Sequence, residues 1–246
     1  MASTILVQLW TMRVDRLDEA AVAPWRAMLD LGERERAARF VFARHRVQFI
    51  AAHVLMRAVL ARLGGRLPAA WRFVADAHGK PSAWLGDAPA ALSFNLSHTE
   101  GMVGIAATLG ADWALGFDVE PLARQVDLGV ADRFFAQHEV AWLDRQPRPE
   151  RSQGFLRLWT LKEAFIKATG KGLTQDLAAF WFDPVPPRIR FAPSLAEDDA
   201  VWWFEQRVLD GGFVAAVGLR AGSASIETRW RAVAPAALTT EGLADA

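Results

Sequence analysis

Residues 158–173 read LWTLKEAFIKATGKGL, and from Phe155 to Thr169 the apolar residues recur at helical spacing until Gly170, a residue suited to the left-handed turn that stops a helix. Outward from this helix the second half of the chain reads mostly as strands. ADWALGFDVE (111–120) reads as a strand and Val130–Leu143 as a helix; RIRFAP, VWWFEQRVL and FVAAVGL follow as strands, the last two flanking Asp210, Gly211 and Gly212 as a hairpin. The first half has similar parts. ILVQLW (5–10) reads as a strand, Asp18–Asp30 as a helix and Glu33–Leu63 as the longest helix, closed by Gly64 and Gly65. WRFVADAHGKPSAW then reads as two strands around a turn at His78–Pro81, and LSFNLSHTEGMVGIAATL as two more around a polar loop. The expectation is an α+β chain with an N-terminal subdomain over 1–110 and a C-terminal one over 111–232. Residues 233–246, small and Ala-rich, are expected to form a flexible tail.

With 246 residues, 52% of them hydrophobic, the chain can bury a substantial core. The 28 basic and 28 acidic residues balance, so no global field draws it to nucleic acid, and any basic site must be local. Zero cysteines exclude disulfides, thiolate metal sites and cysteine nucleophiles and fit a reducing compartment, with the cytoplasm as the expected location. The N-terminus lacks a basic start, so it reads as a first strand rather than a signal peptide, and no apolar run is read as long enough to span a membrane.

Asp118 and Glu120, two apart on a strand, point to one face and can hold one hard cation, Mg²⁺ or Mn²⁺ rather than zinc; a D-x-E pair also occurs on solvated strand faces. Trp159, Glu163 and Lys167, at i, i+4 and i+8, lie along one side of a helix, where a plain surface ion pair is the alternative. Lysine usage favours the functional reading. Of four lysines, Lys162, Lys167 and Lys171 cluster here while ordinary surface charge elsewhere is arginine, and a compact ammonium suits phosphate oxygens. Lys162, off the stripe, reads as a solvated charge, and Lys171-Gly172 lacks the rest of a phosphate loop. In FNLSHT (94–99), Ser97 and His98 are adjacent at the start of a loop, unsuited to a Ser-His nucleophile but able to hold an anion with loop amides. Lys80 lies on the tight turn HGKP (78–81), and Glu139 in FFAQHE (134–139) is either a half-exposed helix charge or a site residue. His45, His53 and His138 form no metal-ligand pattern.

In order, HGKP, FNLSHT, GFDVE, FFAQHE and WTLKEAFIKATGKGL resemble the motifs of the Sfp-type 4′-phosphopantetheinyl transferases. That resemblance implies a pseudo-twofold pair of similar α/β subdomains, each with a small, mainly antiparallel sheet packed on a long helix. It implies transfer of 4′-phosphopantetheine from coenzyme A to a serine of an acyl or peptidyl carrier protein, with release of 3′,5′-ADP. Asp118, Glu120 and Glu163 match the family's Mg²⁺ ligands, and Lys167 its diphosphate lysine. Ser97 and His98 match the loop on the 3′-phosphate, Gly79 and Lys80 the turn beside the nucleotide, and Arg36 and Arg46 basic positions near its phosphates. Glu33 stands where close relatives can carry lysine. The resemblance leaves the general base among Glu163, Glu139 and a metal-bound water.

Leu122, Arg124, Lys171 and Leu173, flanking the metal motifs, are candidates for docking the carrier, and a site completed within one chain implies a monomer. Two other readings use the same residues: a Mg²⁺-dependent hydrolase of coenzyme A or nucleotides, and a non-catalytic coenzyme A- or carrier-binding module.

Overall fold

The structure, a computed structural model, describes residues 4–111 and 113–243. In chain order its first elements are β1 (Thr4–Arg13), α1 (Glu19–Val22), α2 (Leu31–Ala38), α3 (Ala43–Gly64), β2 (Trp71–Ala75), β3 (Pro81–Leu85), β4 (Ala88–Pro89), β5 (Leu92–Thr99) and β6 (Met102–Leu109). Then come β7 (Leu115–Pro121), α4 (Gly129–Phe134), α5 (Gln137–Asp144), α6 (Arg151–Thr169), β8 (Phe180–Pro184) and β9 (Pro187–Phe191). The last are β10 (Trp202–Leu209), β11 (Phe213–Arg220), β12 (Ser225–Val233), β13 (Leu238–Thr239) and β14 (Gly242–Leu243). Among the described residues the contacts divide the chain into an N-terminal unit, 5–111 with 227–243, and a C-terminal unit, 113–226 with Thr4.

In the N-terminal unit a four-stranded sheet, ordered β12-β1-β6-β5, packs on α3. Helix α3 is long and apolar enough to cross a membrane by length and composition, which the sequence reading did not credit, yet 72% of its most apolar window is buried within the protein. It serves as the core helix. Gly65, at φ 64°, ends it where a residue with a Cβ would be strained.

The expected continuous helix over Glu33–Leu63 is two helices. Asp30 caps α2 in a reciprocal box with Glu33, and the chain breaks at Arg39–Phe42, where Phe42 turns extended (φ −90°, ψ 128°) to start α3. Phe40 faces Phe49 at 5.4 Å while Val41 is 86% exposed, so the apolar run here does not follow one helical face. The helix expected over Asp18–Asp30 is likewise short: α1 gives way at Pro24 to a 3-10 turn, Pro24–Met28.

Folding α2 back on α3 buries Glu33. Arg57, fully buried in α3, donates through Nε to Glu33 Oε2 (2.8 Å), through Nη2 to Asp30 Oδ2 (2.8 Å) and through Nη1 to the carbonyls of Pro68 and Trp71 (2.9 Å each), and His53 Nδ1 lies 2.8 Å from Glu33 Oε1. Glu33 thus does structural duty at the position where close relatives can carry lysine. Burial alone would raise its carboxyl; the His53 hydrogen bond and the charge of Arg57 outweigh that and hold it below the ordinary 4.5. A depressed carboxyl contributes stability above the unfolded value, so unfolding free energy should fall as pH drops through and below about 4.5. Arg57→Met should cost on the order of 3–5 kcal/mol in urea unfolding, because it strands buried Glu33. A loss under about 1 kcal/mol would contradict this account.

The final stretch is not a loose tail through its described part: Leu238 is buried, β13 and β14 pair, and both pack against α3. Its small residues allow close approach to the helix. Residues 244–246 lie outside the described chain, as does Asp112 in the expected strand 111–120.

In the C-terminal unit an antiparallel sheet ordered β10-β11-β7 carries α6 across β7 and β11, with the β8–β9 hairpin alongside. Gly170, at φ 72°, stops α6 as its sequence implies. The helix expected over Val130–Leu143 is again two, α4 and α5, parted at Phe135–Ala136, both extended. Each unit therefore sets one long helix on a small sheet, and the chain is α+β.

Candidate active site

In β7, side chains alternate: Gly116, Asp118 and Glu120 share one face, whose neighbours on β11, Ala216 and Val214, belong to the core beneath α6. Gly116 is required there. A Cβ at this position would stand 1.9 Å from Ala164 O and 2.5 Å from Ala168 N, so only glycine lets the strand touch the helix backbone. That contact brings Asp118 and Glu120 opposite the Glu163–Lys167 stripe of α6.

Lys167 Nζ donates to Asp118 Oδ1 at 2.6 Å, joining strand to helix. Arg124 donates to Glu120 Oε1. Burial, and then the like charges of Asp118 and Glu120, push the Glu163 carboxyl up against the opposing pull of Lys167. Three carboxylates thus face two cations, leaving an excess of negative charge in a mostly buried patch. The all-oxygen donor set fits a hard divalent cation. Among the described residues no three acidic or histidine side chains stand close enough together to hold a metal ion by themselves, and Lys167 and Arg124 are bonded to two of the carboxylates. Such a set suits an ion that keeps waters or substrate oxygens in its shell rather than one enclosed by protein.

Glu139 is placed elsewhere. Its side chain is fully buried, accepting from the backbone N–H of Ala136 (3.2 Å) and Phe182 (3.0 Å) and lying 2.7 Å from Lys162 Nζ, which is also fully buried. Burial pushes Glu139 up and Lys162 down. Neither the half-exposed charge nor the general base considered for Glu139 survives this burial, and Lys162 is not solvated. Arg124, read as a docking residue, is occupied by Glu120; Lys171 is exposed beyond Gly170, Leu122 packs against the core, and the Leu173 side chain lies outside the described residues.

The N-terminal unit holds the other candidates. Ser97 and His98 belong to strand β5, not to a loop, so Ser97 is buried, His98 is exposed on the opposite face, and the two cannot grip one anion together. Gln48 Nε2 lies 3.0 Å from His98 Nδ1 and donates to Thr99 O (2.9 Å), holding the exposed imidazole at the end of β5. Gln48, Arg44, His45, Asp15, Glu100 and Gly101 line a cavity of about 620 Å³. The sequence reading missed Arg44 and Gln48, although their i, i+4 spacing on α3 was visible.

Gly79, at φ 85°, shapes the β2–β3 turn, where Asp76 accepts from the backbone N–H of His78 (2.8 Å) and Lys80 (2.9 Å). Burial lowers the Lys80 ammonium to about 8. Arg36 is exposed and stacks over Phe49 at 5.4 Å. Arg46 is engaged by Glu19 and donates to Phe40 O (2.6 Å); with Arg26 and Arg34 it lines a separate cavity of about 360 Å³, apart from the one beside Gln48.

Residues 114–217 match the 4′-phosphopantetheinyl transferase superfamily, and residues 19–110 match the 4′-phosphopantetheinyl transferase N-terminal family. The chain is 33% identical over 218 residues to the 4′-phosphopantetheinyl transferase HetI of Nostoc sp., covering 87% of each chain. It is 34% identical to 4′-phosphopantetheinyl transferase ffp of Bacillus subtilis over 60% of this chain and 63% of that one, and 32% identical to Sfp of the same species over 60% and 63%. An α+β chain whose acidic and lysine residues converge at a strand-helix contact is thereby assigned to a class of group-transfer enzymes. It belongs to the 4′-phosphopantetheinyl transferase family.

Proposed function

We propose that the protein transfers 4′-phosphopantetheine from coenzyme A to a serine hydroxyl of an acyl or peptidyl carrier protein, releasing 3′,5′-ADP. The observation that carries this reading is the convergence of Asp118, Glu120, Glu163 and Lys167 at the Gly116 contact. Asp118, Glu120 and Glu163 would hold Mg²⁺ or Mn²⁺, which when bound neutralises diphosphate charge. Lys167, able to leave Asp118 for a phosphate oxygen, meets the charge that develops on the leaving 3′,5′-ADP as the bond from its oxygen to the β-phosphorus breaks. Glu163, on the same α6 stripe as Lys167, accepts the proton as the serine Oγ bonds to that phosphorus. With Glu139 buried, Glu163 is the base this chain supplies.

Lys80, exposed His98 and exposed Arg36 and Arg44 are the groups we assign to the nucleotide phosphates. Arg46 contributes less, being held by Glu19.

The pH behaviour of Lys80 gives a test. Its charge is lost as pH rises through about 8, while phosphate ionisation is already complete, so the KM for coenzyme A should rise by about tenfold between pH 7 and 9. Lys80→Arg should flatten that rise, and an unchanged slope in the variant would remove Lys80 from recognition. The reaction itself is tested by measuring 3′,5′-ADP release from coenzyme A and Mg²⁺ with and without a small panel of carriers. Release that needs the carrier supports transfer; equal release without it indicates a hydrolase, and binding without release a non-catalytic module.

A further inference from the structure

The charged group most deeply enclosed in the C-terminal unit has no part in the chemistry above. Lys162 precedes Glu163 in α6, and its ammonium makes three short contacts: Glu139 Oε2 at 2.7 Å, Leu177 O at 2.8 Å and Phe180 O at 2.8 Å. That uses all three donors. The rings of Phe135 and Phe180 lie 5.0 and 4.3 Å from Nζ. Glu139 in turn accepts from Ala136 N and Phe182 N, so the pair ties the middle of α6 to the start of α5, to the 3-10 turn Leu177–Ala179 and to β8.

Stability alone is a poor reason to keep such a pair. Replacing a buried ion pair by apolar side chains of similar volume is often neutral or stabilising, whereas three directional contacts on one ammonium fix the helix about its own axis. Other contacts hold α6 from different sides: Gln206 Nε2 donates to Arg157 O (2.7 Å) and Thr160 Oγ1 (3.0 Å), and Gly116 abuts Ala164 and Ala168. Lys162, next to Glu163, is the charged anchor among the contacts that hold this part of the helix.

We infer that Lys162 and Glu139 are positioning residues: their buried pair sets the rotation of α6, and so aims Glu163 and Lys167 at Asp118 and Glu120. With side-chain ends about 6 Å from a helix axis, a turn of about 10° shifts them by about 1 Å, and a misplacement of that size can cost about 100-fold in rate. This inference rests on the transfer reading above.

The test compares wild type with the double variant Lys162→Met/Glu139→Gln, which removes both charges while keeping volume. Expected are a melting temperature within a few degrees of wild type, KM values for coenzyme A and carrier within about twofold, and kcat lower by about 100-fold. A crystal structure of the variant should show the Lys167–Asp118 contact, 2.6 Å in the parent, lengthened. A folded double variant with wild-type kcat overturns the inference, as does an unchanged Lys167–Asp118 contact. Should the double variant fail to fold, Glu139→Asp decides: it keeps the charge but shortens the arm, and should lower kcat by about tenfold at unchanged KM, with unchanged kcat overturning the inference. If wild type itself transfers nothing to any carrier, the reading of the site falls and this inference with it; transfer by wild type and variants alike refutes the positioning role alone.

Discussion

Glu163→Gln should abolish transfer, lowering kcat by about 10³-fold with coenzyme A, carrier and Mg²⁺ saturating, while leaving the fold intact. The substitution preserves shape but removes a negative charge from the cluster with Asp118 and Glu120, and with it the group that takes up the serine proton. Because burial and like charge both disfavour the ionised Glu163, the neutral amide should fold at least as stably, so a low rate cannot be put down to unfolding. A rate within a few-fold of wild type, with an unchanged melting temperature, would remove Glu163 from both assigned roles.

The largest structural effect is expected at Gly116. Its Cα face touches the backbone of α6, and a methyl group there would need Ala164 O to withdraw from 1.9 Å. Backbone cannot yield as a flexible side chain does, so Gly116→Ala must separate β7 from α6, at a cost of at least about 3 kcal/mol. Separation also breaks the Lys167–Asp118 contact, so whatever folded protein remains should have lost nearly all transfer activity. Urea unfolding and a rate measurement on the soluble fraction check both halves. A stable, active Gly116→Ala protein would show that the strand-helix contact does not build the site.

What could be read from the sequence had local causes. The 3.6-residue spacing of α6, the glycine at its end, the two-residue spacing of Asp118 and Glu120 and the Asp210–Gly212 hairpin all follow from neighbours in the chain, and the structure has each of these elements. What was misread depended on distant partners. Lys162 reads as a solvated charge, and Glu139 as a half-exposed charge or a site residue, until α5, α6 and β8 pack together around them. Glu33 looks like a departure from a cationic pattern until Arg57, in the next helix and 24 residues on, takes its carboxylate.

Two errors were of another kind. A polar run containing Ser, His and Thr suggested a loop, but pairing with β6 extends β5 through Thr99 and leaves a turn of Glu100 and Gly101. Helical periodicity also ran across the break at Arg39–Phe42, because apolar residues on either side of a sharp turn can keep nearly the same spacing as those in a continuous helix. The meeting of β7 with the Glu163–Lys167 stripe of α6 lies between these cases: each motif is visible in the sequence, but the need for Gly116 at the contact is not.

The most direct measurement of the central claim is the intact mass of a carrier protein after incubation with the enzyme, coenzyme A and Mg²⁺. The account predicts a gain of one phosphopantetheine on the wild-type carrier, none on a carrier whose acceptor serine is replaced by alanine, and none with Glu163→Gln enzyme. An unmodified carrier across an acyl, peptidyl and aryl panel, or the same gain on the alanine carrier, would contradict it.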